Sequence, residues 1–227
     1  MFEPLKFPLK KAIHLYRITS KSGREFGFDI IPADRRLKDK SHNELTQIIP
    51  RGRLRKIISQ LKNEYDYIFI DSPPNWEFFS QQVIIASDVI LMPTKHLDLS
   101  SIENAAFAAT TFFPQIGDER RTFFPELADP HPLPVFFNAG PTKIPDSQRV
   151  QVVEAIEAII ASNPKENQAK LRRLFFPRYT RIKLDSHIFE LPSYAHIANA
   201  AFVRRPAVFS SKVALENYKS LVKEYFL

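Results

Sequence analysis

Residues 65–74 read YDYIFIDSPP. Ile68, Phe69 and Ile70 run straight into a carboxylate, Asp71, and two prolines, Pro73 and Pro74, follow. An unbroken apolar run of this length is the pattern of a strand buried on both faces. Such a strand delivers its last side chain to the carboxyl edge of a parallel sheet, where ligands bind in open α/β folds. The prolines cannot donate to a ladder, and they push Ser72 out of helical geometry. A strand over 67–71 is therefore expected, with the chain leaving the sheet in a defined direction just after the acid. A carboxylate in that place can hold Mg²⁺, through water, beside a nucleotide phosphate. The plainer reading, an aspartate that caps a turn, fits the same residues.

Working outward, strands alternate with helices. FGFDIIP at 26–32 reads as a strand. RGRLRKIISQLKNEY at 51–65 reads as a helix, with Leu54, Ile57, Ile58 and Leu61 on one face. A helix over 76–87 and a short strand over 88–93 follow. Residues 100–113 read as a helix opened by a capping box of Ser100 and Glu103. The stretch 114–132, with four prolines, reads as a surface loop. LPVFFN at 133–138 reads as a strand, and 146–160 as a helix with Asp146 at its N-cap. Helices are expected over 187–202, broken at Pro192, and over 210–226. This order predicts an α/β fold, a mainly parallel sheet flanked by helices. The aromatic runs at 111–113, 135–137 and 174–176 read as core.

The chain has 227 residues, 44% of them hydrophobic and none of them cysteine. That suits one α/β domain or two small ones and excludes disulfides and thiolate metal sites. No apolar run approaches the ~20 residues that span a bilayer, and no signal peptide is read at the N-terminus. A cytoplasmic setting is expected. Residues 164–227 hold twelve Lys/Arg against five Asp/Glu, so the net charge of +7 lies in this segment, and residues 1–163 balance at zero. A basic segment points to a polyanionic partner or to a solvated basic face. His96, His131, His187 and His196 show no ligand spacing, and His14 and His42 sit in N-terminal or polar surroundings, so all six read as non-catalytic. Ser72 lacks the flanking glycines of a nucleophile elbow.

YDYIFIDSPP and ASDVILMPT at 86–94 resemble the ParA/MinD family of partition and positioning ATPases, which are deviant-Walker, P-loop NTPase-like proteins. GFDIIPADRRL at 27–37, LPVFFNAG at 133–140 and AFVRRPAVFSSKVALENYKSLVKEYF at 201–226 extend the likeness over 26–227, leaving 1–25 outside it. DSPPNWEFFSQ and PTKHLDLSSIENA resemble a cyanobacterial-type subgroup. The resemblance implies ATP and Mg²⁺ as cofactors, with Asp71 as the Walker B acid: catalytic, and bound to Mg²⁺ through water. It implies Asn138 at the adenine, or else bonded to loop backbone, and Pro177 and Tyr179 beside the base. Asp88 matches a family acid but reads as a turn residue. Nonspecific DNA contact is implied for Arg178, Arg181, Lys183, Arg204 and Arg205. Homodimerisation and a ParB-like or cargo adaptor partner are implied as well.

The family's phosphate loop, K-G-G-x-G-K-[ST], does not occur in these 227 residues, and none of the five glycines is followed by lysine. The chain thus resembles a ParA-type protein without its first strand, phosphate loop and first helix. A DNA-partition or cargo-positioning protein with compromised ATP hydrolysis is expected. A non-catalytic adaptor, a passive DNA-binding module and a truncated gene fragment are the alternatives.

Overall fold

The computed structural model describes residues 9–20, 23–34, 39–95, 97–139, 145–192, 200, 202 and 205–227. They fall into two compact units: Met1–Asp88 with Pro114–Pro130, and Val89–Phe113 with His131–Leu227.

The first unit opens with a hairpin that the sequence reading had only by half. Strand β1 (His14–Thr19) pairs antiparallel with β2 (Glu25–Ile30). Gly23, at φ 79°, supplies the left-handed turn residue between them. The register aligns Tyr16 with Phe28 and Ile18 with Phe26, which gives the hairpin one apolar face. Helices α1 (His42–Ile48), α2 (Arg53–Ile58) and α3 (Phe78–Ala86) follow. Ser41 and Glu44 form a reciprocal capping box at the start of α1. Leu45 and Ile49 pack on Phe78, and Leu54 and Ile58 pack on Ala86. Gly52 precedes α2 at φ 71°, with the Phe124 ring over its Cα.

The expected strand over 67–71 is absent. These residues carry no ladder, and Tyr67, Ile68, Phe69 and Asp71 are exposed. An apolar run becomes a buried strand only where neighbouring strands take its N–H and C=O groups. Among the described residues no strand pairs with it.

The second unit carries the parallel sheets. β3 (Val89–Ile90) pairs parallel with β5 (His131–Pro132). β4 (Pro93–Lys95), β6 (Phe136–Ala139) and β7 (Phe189–Pro192) form a three-stranded parallel sheet in the order β4-β6-β7. The fold is α/β, with parallel sheets flanked by helices. The single strand expected over 88–93 is two short strands in two sheets, and β7 replaces the helix expected at 189–192. Most of the remainder of the 187–202 expectation lies outside the described residues.

Helix α4 (Leu99–Phe107) is capped by Asp98, which accepts from the Ser101 N–H, and not by Ser100. It runs on through a wide π segment (Ala108–Phe112) into α5 (Phe113–Phe123), where a surface loop was expected. Pro114 explains both the expectation and its failure. Its ring cannot fit a regular helix interior, and the π segment just before it is the known accommodation for such a break. Helix α6 (Asp146–Ser162) is preceded by Pro145, so Asp146 is its first residue and not its cap. Helix α7 (Lys165–Phe175) was not anticipated, and α8 (Lys212–Phe226) ends the chain. The aromatic runs are core as expected: Phe112, Phe113, Phe136, Phe137, Phe175 and Phe176 are buried. Tyr225 of α8 sets its ring edge-on against Phe136 and Phe189. Burial pushes its hydroxyl pKa well above the usual tyrosine range.

Candidate functional site

Two regions hold the residues singled out from the sequence, one in each unit. In the first, Asp71 stands on the exposed segment that follows Tyr65. The loop after it is fastened to α3 by Ser80, which is buried and donates to the Pro73 carbonyl at 2.9 Å. Ser72 donates to the Ser80 hydroxyl at 3.2 Å, and the Ser80 hydroxyl lies 3.0 Å from the Asn75 amide oxygen. The prolines and this serine fix the course of DSPPN, so the loop is held although the strand before it is not formed.

Asp88 turns out to be an organising residue of the first unit. Its carboxylate accepts from Arg55 at 2.9 Å and from Arg120 at 3.0 Å. Burial works against the charged form, but these two guanidinium groups outweigh it and hold the Asp88 pKa below the usual value. Arg55 also donates to the Ala86 carbonyl at 2.8 Å, and Arg120 donates to the Ser87 carbonyl. Two cations thus close the carboxyl end of α3, where the helix dipole favours positive charge. Arg120 is 1% exposed. No local pattern in the sequence marks it, because its partners lie more than thirty residues away.

In the second unit the parallel ladder sets Lys95 of β4 beside Asn138 of β6 at the carboxyl edge of the sheet. Both are exposed. The Lys95 N–H is taken by the Ser101 hydroxyl at 3.2 Å, which ties the end of β4 to α4. Lys95 was not singled out from the sequence, yet its place at the end of a strand beside that of Asn138 is the signal that finds it. On the other side of β6, Glu190 of β7 is gripped in bidentate fashion by Arg149 of α6, which fixes the edge strand.

Pro177 and Tyr179 lie in the turn that follows α7. The Tyr179 ring packs under the Arg172 guanidinium at 5.6 Å, and its N–H donates to the Phe176 carbonyl. Arg172 is itself paired to Glu157 at 2.6 Å. Arg178 and Arg181 are exposed and have no ion-pair partner among the described residues. Lys183 is exposed and lies 3.3 Å from Asp185. Arg205 is half-buried. Arg204 lies outside the described residues. Asp71 belongs to the first unit, and Asn138, Pro177 and Tyr179 belong to the second. Among the described residues no cluster of His, Asp or Glu could hold a metal, and no helix is long and apolar enough to cross a membrane.

Residues 8–110 match a family model described as an AAA domain. The family is ParA/MinD-like, of the P-loop kind, and the matched segment, under half of the chain, runs from β1 through the Asp71 segment and α4 into the π segment. A ParA family protein of Chlamydia muridarum is 30% identical over 111 residues, 47% of this chain and 38% of that protein. An uncharacterized protein of Pseudomonas putida is 33% identical over 67 residues, 30% of this chain and 26% of that one. An uncharacterized protein of Methanocaldococcus jannaschii is 34% identical over 65 residues, 29% of this chain and 25% of its own length. The matches therefore span well under half of each relative. No solved structure gives a significant match. Over these segments the chain is similar to ParA-like proteins.

Proposed function

We propose that this chain is a ParA-like DNA-partition or cargo-positioning protein that contacts DNA without sequence preference and has no ATP turnover of its own. The observation that carries this reading is the turn after α7. It presents Arg178 and Arg181 to solvent within a segment that holds the whole net charge of the protein. Phosphate contact needs only cations of sufficient reach, with no base-edge geometry. Asn138, with Lys95 beside it, is offered as an inherited contact to a base, and Asp71, in the other unit, separately as an inherited acid on the metal side. ATP and Mg²⁺ fit this donor set only in part. Asp71 is a fitting outer ligand for Mg²⁺. The 227 residues contain no glycine-lysine loop to cradle phosphates. When bound, Mg²⁺ would neutralise phosphate charge. Asn138 would contribute a contact to the base, and Asp71, within its own unit, a hold on metal-bound water.

A second reading is a non-catalytic adaptor that joins a complete ATPase. The exposed apolar side chains of Tyr67 and Phe69 favour it, because exposed apolar patches mark association surfaces.

The first reading is tested by fluorescence anisotropy of a random duplex at several salt concentrations. Binding should weaken linearly on a log–log plot, with a slope of about −0.9 per phosphate contact. Arg178→Ala/Arg181→Ala should flatten the slope by about two contacts. A parent chain that binds with an unchanged slope in the double variant places the surface elsewhere. A parent that binds nothing at low salt overturns the reading.

A further inference from the structure

We infer that the turn Thr180–Lys183 is a wedge that inserts Ile182 between base steps of duplex DNA, while Arg178 and Arg181 hold the flanking phosphates. The inference rests on the reading that this segment contacts DNA, and it adds how. Ile182 is 100% exposed, and Leu184, two residues on, is 74% exposed. Isolated exposed aliphatics are ordinary on protein surfaces. This one is held at the apex of a closed turn. The Thr180 N–H donates to the Lys183 carbonyl at 2.8 Å, and the Lys183 N–H donates to the Thr180 hydroxyl at 2.8 Å. The two bonds leave Arg181 and Ile182 at the tip, and the base of the turn is anchored by Tyr179 against Arg172.

The charge around the apex selects the partner. Arg181 precedes Ile182 and Lys183 follows it, with Arg178 one short turn earlier. Lys183 is shared with Asp185, so the two arginines are the cations free for phosphate. An apolar tip between cations suits a groove walled by phosphates and floored by stacked bases. Architectural DNA-binding proteins use isoleucine and leucine wedges in this way, kinking the duplex by about 20–90°. A bilayer is the other anionic surface with an apolar interior, but it rewards a broad apolar face. Here the one side chain at the apex is separated from Leu184 by a lysine.

The test uses the full chain and a duplex of about 25 base pairs, labelled at both ends for energy transfer. The parent should shorten the end-to-end distance on binding. Ile182→Ala should abolish that shortening and weaken binding by about tenfold, with the salt slope unchanged, and Ile182→Leu should retain both. A fully exposed side chain is not needed for folding, which circular dichroism of each variant checks. If Ile182→Ala binds and bends as the parent does, the wedge is overturned while DNA contact stands. If the parent binds without bending, the wedge is likewise overturned. If the parent binds no DNA, both readings fall. If Ile182→Ala instead loses binding to phosphatidylserine vesicles with DNA bending intact, the partner is a membrane and the wedge is overturned.

Discussion

Lys170 of α7 donates its Nζ to the main-chain carbonyl of Ala109 at 2.6 Å. In the π segment each N–H reaches five residues back, as Phe113 does to Ala108. The next donor in that pattern would be residue 114, which is proline and has no N–H. The lysine supplies the missing hydrogen bond, and a distant helix thus completes the break that Pro114 makes.

Lys170→Met should therefore destabilise the protein by about 1–2 kcal/mol, and Lys170→Arg should cost less. In a Pro114→Ala background, which restores an N–H, the cost of Lys170→Met should shrink. Urea unfolding of the four members of this cycle measures the coupling. Burial also lowers the Lys170 pKa. Between the folded and unfolded pKa values the unfolded chain then holds more protons, so stability rises with pH in that window. The gap between parent and Lys170→Met should widen as pH approaches the ordinary lysine value from below.

Asp88 and Arg120 should respond unequally to removal. Asp88→Asn leaves Arg120 buried without its anion, a loss of about 3 kcal/mol for a buried pair. Water at the exposed side of the Asp88 carboxylate reduces that figure. Arg120→Met leaves Asp88 exposed and still paired with Arg55, and it should cost less. Because the folded Asp88 pKa is depressed, its stabilisation is fully present above the unfolded value near 3.8 and is lost as pH falls through the folded one. Unfolding curves at pH 7 and near pH 3 should show a smaller acid loss for Asp88→Asn than for the parent.

Gly52→Ala combines two penalties. The left-handed backbone costs about 1 kcal/mol for a non-glycine residue, and the new Cβ would stand 2.6 Å from the Phe124 ring. Thermal unfolding should shift down by several degrees, and Phe124→Leu should return part of the loss.

Exposed apolar side chains on the Asp71 segment should drive self-association. Tyr67 is 63% exposed and Phe69 is 72% exposed. Tyr67→Ser/Phe69→Ser should lower the apparent mass in light scattering with little change in unfolding free energy. An unchanged mass would place the association elsewhere.

The sequence carried the helices with strong periodicity well. Leu54, Ile57, Ile58 and Leu61 all lie in the core as their spacing demands, and Phe136 and Phe137 lie in a parallel strand as their run demands. The failures share a cause. An apolar run becomes a buried strand only if other strands pair with it, and no described strand pairs with Ile68–Ile70. Four prolines argued for a loop, yet Pro114 sits within a helix because Lys170, fifty-six residues away, completes the ladder. Arg120 gains its role from partners across the chain, which no local window reveals. Asp98 displaced Ser100 as cap because either residue type satisfies the same orphan N–H groups.

The most direct test of the account is DNA affinity measured with and without ATP and Mg²⁺, in the parent and in Asp71→Ala. The account predicts salt-dependent binding by the parent that nucleotide leaves unchanged, and the same affinity in Asp71→Ala. Tighter binding or ATP turnover on addition of nucleotide, lost in Asp71→Ala, would contradict it and show a working nucleotide site in these 227 residues.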